Sequence, residues 1–188
     1  MSFLEPIPSV EEMTNYVLDN LMTGFTVKGK EICPYRHSVR FDIAGINRNK
    51  REVRIFEVKS CRRDFTSDKK WQTYLPFCTH FAFVAPKGVI KLDELPEGVG
   101  LVEFWNQEHT SYKGELYHVL THQYTRGCKQ LQAQPDNEHY ISLLEGIVMR
   151  LITETKEFRQ YWQIRDDIED MKNQLYKISQ QIGSGHKP

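Results

Sequence analysis

The sequence has no excess of either charge, because 25 lysines and arginines are matched by 25 aspartates and glutamates among its 188 residues. A global positive field that would attract nucleic acid is therefore absent. The four cysteines include no Cys-x-x-Cys pair, which argues against both a zinc ribbon and a small secreted disulfide scaffold. We expect reduced thiols in a cytoplasmic protein.

The sequence also lacks a targeting segment and a membrane span. Its N-terminus, MSFLEPIPSVEEM, has no basic stretch followed by an apolar core, as a secretory signal would. No apolar run approaches the roughly 20 residues that cross a bilayer. The length suits one well-cored domain with an appendage rather than two ordinary domains. We therefore expect a soluble intracellular protein without a membrane partner.

Alternating apolar and polar segments predict a mixed sheet with flanking helices. Ser9 and Glu12 form a capping-box pattern at the start of a helix over residues 10–22, which Gly24 ends. The predicted strands cover residues 25–28 and 31–32 (interrupted by Gly29), 39–46, 52–60, 80–85 and 99–105. Ser67 is a candidate cap for a second helix over residues 68–77, and residues 115–121 read as a strand or a helix start. The predicted class is α/β with a mixed central sheet.

The C-terminal part has a different character. Residues 1–125 form the predicted domain, 126–136 a linker, 137–182 one long helix and 183–188 a disordered tail. Apolar residues recur three and four positions apart in the distal half: Tyr161, Ile164, Ile168, Met171, Leu175, Ile178 and Ile182. Such a narrow seam predicts a coiled coil and a homodimer formed through this helix, although the helix folding back on its own domain is the alternative. Broader apolar coverage over residues 143–152 favours packing of that half on the domain.

The most informative stretch is RFDIAGINRNKREVRIFEVK, residues 40–59. It reads as two strands around a polar turn at residues 47–50, which is a hairpin. Asp42 and Glu57 each lie inside an apolar run, where a carboxylate is tolerated if it is paired or binds a metal. Side chains alternate along a strand, so Lys59 projects on the same side as Glu57.

These three side chains suit a divalent cation and a phosphate. Asp42, Glu57 and the carbonyl of Val58 can supply hard oxygen ligands to Mg²⁺ or Mn²⁺. The cation would lower the pKa of a bound water, and Lys59 would orient that water or stabilise the developing charge. The alternative is an exposed strand whose charges are merely solvated, but the apolar residues around Glu57 argue against it.

The arrangement of Asp42 and then Glu57-x-Lys59 on the next strand resembles the PD-(D/E)XK nuclease superfamily. The longer string EVKSCRRDFTSDKKWQTYLPFCTHFAFVAP, followed by LPEGVGLVEF, is similar to the MmcB-like DNA repair branch. The resemblance covers about residues 40–104. It implies a restriction-endonuclease-like fold, Mg²⁺ or Mn²⁺ dependence and DNA cleavage, with Asp42 and Glu57 as metal ligands and Lys59 as the catalytic lysine. The proline of the motif is replaced by Phe41 here.

The resemblance also directs attention to accessory residues. An acid on the first helix often assists in such nucleases, and Glu12 is the candidate, with a role in the capping box as the alternative. The residues expected to contact nucleic acid are Arg40, Ser60, Arg62, Arg63, Lys69 and Lys70. Their alternative role is solubility. Trp71 and Tyr74 either stack on a base or pack the helix on the sheet.

Two functions follow from these observations. The first is a metal-dependent nuclease that hydrolyses phosphodiester bonds in DNA, in repair, recombination or the processing of phage or mobile-element DNA. The second is a non-catalytic DNA-binding or adaptor protein that keeps the nuclease fold and recruits a partner through its coiled coil. A zinc site at His118 and His122 is disfavoured, because four residues of strand span roughly 13 Å.

Overall fold

The computed structural model describes residues 6–131 and 134–153, which fall in a compact unit, Met1–Val148, and the start of a second unit, Met149–Pro188. The described part of the first unit is built on one six-stranded sheet whose spatial order follows the chain. The strands are β1 (Val27–Ile32), β2 (Phe41–Asn47), β3 (Glu52–Val58), β4 (His80–Pro86), β5 (Gly100–Thr110) and β6 (Leu116–Arg126).

The sheet is mixed, as the sequence predicted. Strands β1, β2 and β3 pair in antiparallel fashion, β3, β4 and β5 are parallel, and β5 and β6 are antiparallel. Parallel neighbours need a crossover. Between β3 and β4 the chain forms helix α2 (Arg62–Ser67) and a 3₁₀ helix (Trp71–Phe77), and between β4 and β5 a short 3₁₀ turn (Leu92–Glu94).

The first helix covers one face of the sheet. Helix α1 (Val10–Tyr16) begins at the capping box of Ser9 and Glu12 and continues as a π-helical segment, Val17–Leu21. Met13 and Val17 are fully buried in a cluster with Phe56 and Val58 of β3. The predicted helix over residues 10–22 is therefore present, with a wider last turn than an α-helix has.

Aromatic residues cover the opposite face. Trp71 of the 3₁₀ helix stacks on Phe81 with 5.5 Å between ring centroids, and Tyr74 lies edge-on to Phe41 at 5.1 Å. The predicted single helix over residues 68–77 was wrong, because Ser67 ends α2 and the chain is extended at Asp68. The reason is local bonding, since the carboxylate of Asp68 accepts the backbone N–H of Lys70 at 2.7 Å, as in an Asx turn.

Two other strand predictions also need correction. Gly29 does not interrupt the first strand, because it pairs with Ala44 inside β1; the irregular residue is Glu31, with a φ of 52°. Residues 116–121 belong to β6, which runs to Arg126 alongside a β5 that is longer than the predicted 99–105, whereas Glu115 precedes the strand. The boundary expected at residue 125 thus lies inside a strand.

Residues after β6 return along the sheet to helix α3 (Asn137–Thr153). The N–H of Lys129 donates to the carbonyl of Gly98 at 3.0 Å, and that of Leu131 donates to the carbonyl of Thr79 at 2.8 Å. Leu143 and Ile147 of α3 are fully buried in the aromatic core, as the broad apolar coverage indicated. The predicted helix beyond residue 153, its coiled-coil seam and the tail lie outside the described residues. In the described ranges, no helix has the length and apolar character needed to span a bilayer.

Candidate functional site

Strands β2 and β3 separate at the point where the predicted acids lie. Their ladder ends with the pair Ile43 and Phe56, while β3 continues beside β4 as far as the pair Val58 and Val84. Beyond the ladder, the Asp42 carboxylate accepts the N–H of Val58 at 2.8 Å. A side chain thus replaces the missing strand partner, and the sheet opens at the carboxyl end of β3.

Glu57 and Lys59 are buried next to this opening, on the face that the 3₁₀ helix covers. The Lys59 Nζ atom lies 2.9 Å from Oε1 of Glu57 and 2.6 Å from Oδ2 of Asp68. Glu57 is 6% exposed and Lys59 4%, so both charges have been taken out of water. The structure therefore brings together all three residues that the sequence singled out, and adds Asp68.

Burial and mutual repulsion shift the acids toward their protonated forms. Burial, and then the charge of Asp42, raises the pKa of Glu57 to about 7. Burial also raises the pKa of Asp42, although the Val58 N–H and the charge of Lys59 oppose this. A raised carboxyl pKa means that the ionised form is destabilised, which is the situation that a bound cation would relieve.

The side chains of Lys59 and Asp68 are shifted toward their charged forms. Burial alone would lower the pKa of Lys59, but the hydrogen bonds to Asp68 and Glu57 outweigh it, so this pKa lies above its usual value. Burial likewise opposes the ionisation of Asp68, yet the hydrogen bond from Lys59 and the Lys70 N–H keep its pKa below the usual value. Lys59 is therefore an ammonium ion at neutral pH.

The residues present fit a divalent cation. The Oε2 atom of Glu57 is buried and has no hydrogen-bond partner within the described part of the chain. Three carboxylates and one ammonium carry two net negative charges when all are ionised. In the described ranges, no group of three or more His, Cys, Asp or Glu side chains is arranged to hold a metal ion, so the candidate side-chain ligands are the two carboxylates of Asp42 and Glu57. Mg²⁺ suits such a site, because it usually binds one or two carboxylates and keeps several waters.

Asp42 and Glu57 line an open cleft of about 800 Å³. Its lining includes Arg40, Asp42, Glu57, Lys70, Tyr74 and His139. Arg40 lies close enough for its charge to lower the pKa of Asp42. Two of the six predicted nucleic-acid contacts, Arg40 and Lys70, therefore line the same cleft as the acids.

The other four predicted contacts do not line the cleft, and two of them are bonded to acidic side chains. The Arg62 guanidinium is paired with Glu94, and the N–H and hydroxyl of Ser60 donate to Asp64 at 2.9 and 3.1 Å. Arg63 and Lys69 are exposed to solvent and do not line the cleft. Their role in binding stays a prediction.

Glu12 is not brought to the acids. Its carboxylate accepts the backbone N–H of Ser9 at 2.8 Å and the hydroxyl of Ser9 at 2.7 Å, which completes the capping box. Helix α1 packs against Phe56 and Val58, whereas Glu57 and Lys59 project from the other face of β3. The geometry thus favours the capping role that the sequence left as an alternative.

The opening of the sheet lies within a segment that matches a known protein family. Residues 31–122 match the family described as MmcB-like, DNA repair protein MmcB-like. This confirms the MmcB-like resemblance, while membership of the PD-(D/E)XK superfamily stays a prediction. The matched segment contains Asp42, Glu57, Lys59 and Asp68.

One solved structure shares the fold. It is the SPO1766 protein of unknown function from Silicibacter pomeroyi, with a TM-score of 0.56 and 20% sequence identity, covering 78% of this chain and 87% of that one. At this identity the likeness concerns the fold alone. No curated protein matches the chain.

Three residues in or next to the cleft are not assigned from the sequence. Asp68 stands only at the start of the predicted helix over residues 68–77, although its Asp-x-Lys-Trp context is a signal. His37, before β2, and His139, on α3, both line the cleft. No local pattern marks them, because about 100 residues of sequence separate them and only the fold brings them together.

Proposed function

We propose that this protein is a metal-dependent nuclease that hydrolyses phosphodiester bonds in DNA during repair, with Mg²⁺ or Mn²⁺ as its cofactor. One observation carries the proposal: a half-buried carboxylate, Asp42, and a buried one, Glu57, meet at the opening of the sheet, and an oxygen of Glu57 lacks a partner within the described residues. An unpaired buried carboxylate oxygen destabilises a fold, so a bound cation is its simplest explanation. The DNA repair part rests on the name of the matched family.

Each residue then has a defined task. Asp42, Glu57 and the Val58 carbonyl would hold the cation, which supplies an activated water and neutralises charge on the scissile phosphate when bound. Lys59 remains protonated because its pKa is raised, so it acts as a fixed positive charge beside the phosphate rather than as a base. Asp68 and Glu57 hold that ammonium in place.

A specific observation also supports the second function, a DNA-binding or adaptor protein without catalysis. Lys59 is bonded to one oxygen of Glu57 and one of Asp68, so these charges are partly balanced without a metal. In that case the cluster would be a structural ion-pair network at the base of a DNA-binding cleft. Cleavage and metal binding separate the two functions.

The first test is cleavage of a labelled DNA oligonucleotide with Mn²⁺. Asp42→Asn removes the charge but keeps an acceptor for the Val58 N–H, and Lys59→Met removes the ammonium. We expect each to lower the rate by about 100-fold or more, as does removal of a group that stabilises transition-state charge. The control is Lys129→Met, because Lys129 is exposed and paired with Glu97. Equal cleavage by all four proteins would assign the activity to a contaminant or another site.

The second test is calorimetric titration with Mn²⁺ at pH 6 and pH 8. Because the pKa of Glu57 is raised to about 7, much of it is protonated at pH 6 and must lose a proton when a cation binds. We expect tighter binding at pH 8, proton release at pH 6, and loss of binding in Asp42→Asn. Absence of binding at both pH values would favour the adaptor.

A further inference from the structure

One wall of the cleft is formed by aromatic rings that the proposed hydrolysis does not use. Phe77 lies edge-on to two histidines, with its ring centroid 4.8 Å from that of His37 and 4.6 Å from that of His139. The two imidazoles are 5.5 Å apart with an interplanar angle of 30°. All three residues line the cleft, and both histidines are partly exposed there.

The two histidines are held in place by their surroundings. Nδ1 of His139 lies 2.7 Å from Oδ1 of Asp136, which also accepts the His139 N–H at 2.8 Å. The loop that carries His37 is bonded to α3, because the N–H of Tyr35 donates to the carbonyl of Ser142 at 3.0 Å. The aromatic surface is therefore largely preorganised, which reduces the entropy lost when a planar ligand stacks on it.

The position of the acids restricts what can reach them. Glu57 is buried and lines the cleft beside Asp42, so a scissile phosphate has to enter between the aromatic wall and the segment around Arg40. A single strand can turn one nucleotide into such a cleft, whereas a duplex must first unpair a base. Arg40 and Lys70, also on the lining, offer positive charge to neighbouring phosphates.

We propose that His37 and His139, which pack on the buried ring of Phe77, form a stacking surface for an unpaired base next to the cleaved bond, so that the substrate is single-stranded DNA or an unpaired end of a duplex. The assignment of DNA as the ligand rests on the proposed function. The stacking itself requires no metal and no hydrolysis, so it can be measured separately.

The test measures binding of fluorescein-labelled DNA by anisotropy in EDTA, with a 12-nucleotide single strand and a blunt duplex of the same sequence. We expect the full chain to prefer the single strand. His37→Ala and His139→Ala should each weaken single-strand binding by about tenfold, the usual effect of losing one base–aromatic stack, and leave duplex binding nearly unchanged. The matched control, His118→Ala, removes an exposed histidine on β6 outside the cleft and should bind as the wild type does.

Two further measurements distinguish stacking from loss of structure. His139→Phe keeps an aromatic ring and should retain single-strand binding, while circular dichroism reports whether the alanine variants are folded. A single strand with abasic positions should bind the wild type as weakly as the intact strand binds the alanine variants. Equal affinity for duplex and single strand, or folded alanine variants with unchanged affinity, would overturn the inference.

These outcomes are independent of cleavage. Histidine-dependent binding of the single strand without Mn²⁺-dependent hydrolysis would leave the stacking surface in place and reject the nuclease. Hydrolysis without any preference for unpaired DNA would reject the stacking surface and leave the nuclease in place.

Discussion

At the scale of single residues, the site is defined by an ammonium shared between two carboxylates. Lys59 donates to Glu57 and Asp68, and the 2.6 Å contact with Asp68 is the shorter of the two. Glu57 is also a proposed metal ligand, so Asp68 alone can fix the ammonium without competing with the cation. Asp68 is therefore a positioning residue for Lys59.

Asp68→Asn tests this positioning role. The amide keeps the size of the side chain and an acceptor oxygen but loses the charge, so Lys59 should be held less firmly. We expect kcat to fall by roughly 10-fold to 100-fold, as is usual when an outer-shell partner is changed, while Mn²⁺ affinity stays within about twofold. Steady-state kinetics over a Mn²⁺ titration separate the two effects.

The control for that variant is Asp19→Asn, which changes an exposed aspartate of the π-helical segment that does not line the cleft. Asp19→Asn should behave as the wild type does. An Asp68→Asn protein with unchanged kcat would mean that Glu57 holds Lys59 by itself.

The sequence predicted Asp42, Glu57 and Lys59 because charged residues inside apolar runs of neighbouring strands are rarely solvated. It did not predict the roles of His37 and His139, which come from a loop and a helix far apart in the chain. These two side chains line the same cleft only because α3 packs on the core. A pattern confined to one hairpin carries no information about that packing.

At the scale of elements, α3 is joined closely to the loop before β2. Gly146 on the helix faces this loop, and a Cβ atom added there would lie 2.4 Å from the carbonyl oxygen of Cys33 and 2.9 Å from its carbon. Both contacts involve backbone, which cannot turn aside as a flexible side chain can. The glycine therefore allows the helix and the loop to pack closely, and with them the two histidines.

Gly146→Ala should destabilise the protein, although alanine is ordinarily the better helix former by roughly 1 kcal/mol. We expect the overlap with Cys33 to reverse that sign and lower the free energy of unfolding by about 1–3 kcal/mol, as overpacking does. Urea denaturation followed by circular dichroism measures the change. Gly127→Ala is the control, because a Cβ there would meet nothing within 4 Å. A stabilised Gly146→Ala protein would show that the helix shifts freely.

Element types were predictable wherever the apolar period was clear, as in β2, β3, β4 and α1. The sequence predicted one helix over residues 68–77, where the structure has a 3₁₀ helix over Trp71–Phe77, and it did not predict α2, because residues 68–77 have helical spacing and the sequence does not show that Asp68 bonds to Lys59. The local bond of Asp68 to the Lys70 N–H and its tertiary bond to Lys59 together separate α2 from the 3₁₀ helix. The long β5 and β6 pair was only partly foreseen, because its outer half is exposed and polar.

At the scale of the whole molecule, the described core is complete before the predicted coiled coil begins. The buried residues of the two clusters end at Ile147, within the unit Met1–Val148. The mixed sheet could be predicted from the order of strands and helices. Self-association could be predicted only from the seam in residues 161–182, and it stays a prediction.

A chain that ends at Thr153 tests that prediction. It keeps Leu143 and Ile147, which a cut before α3 would remove from the core. We expect the shortened chain to be monomeric with nearly the same melting temperature, and the full chain to be dimeric. Light scattering gives the mass of each. A shortened chain that remains dimeric would place the interface elsewhere, and a monomeric full chain would reject the dimer.

The bond between Asp42 and the Val58 N–H affects how relatives of this chain should be compared. A side chain that supports a strand is expected to persist even in a protein that has given up chemistry, because its loss would leave a backbone donor unsatisfied. The Oε2 atom of Glu57 makes no such hydrogen bond within the described residues, and burial disfavours the ionised carboxylate. Under the proposed function, a glutamate at position 57 is therefore the better marker of nuclease activity in a relative, and an aspartate at position 42 the poorer one.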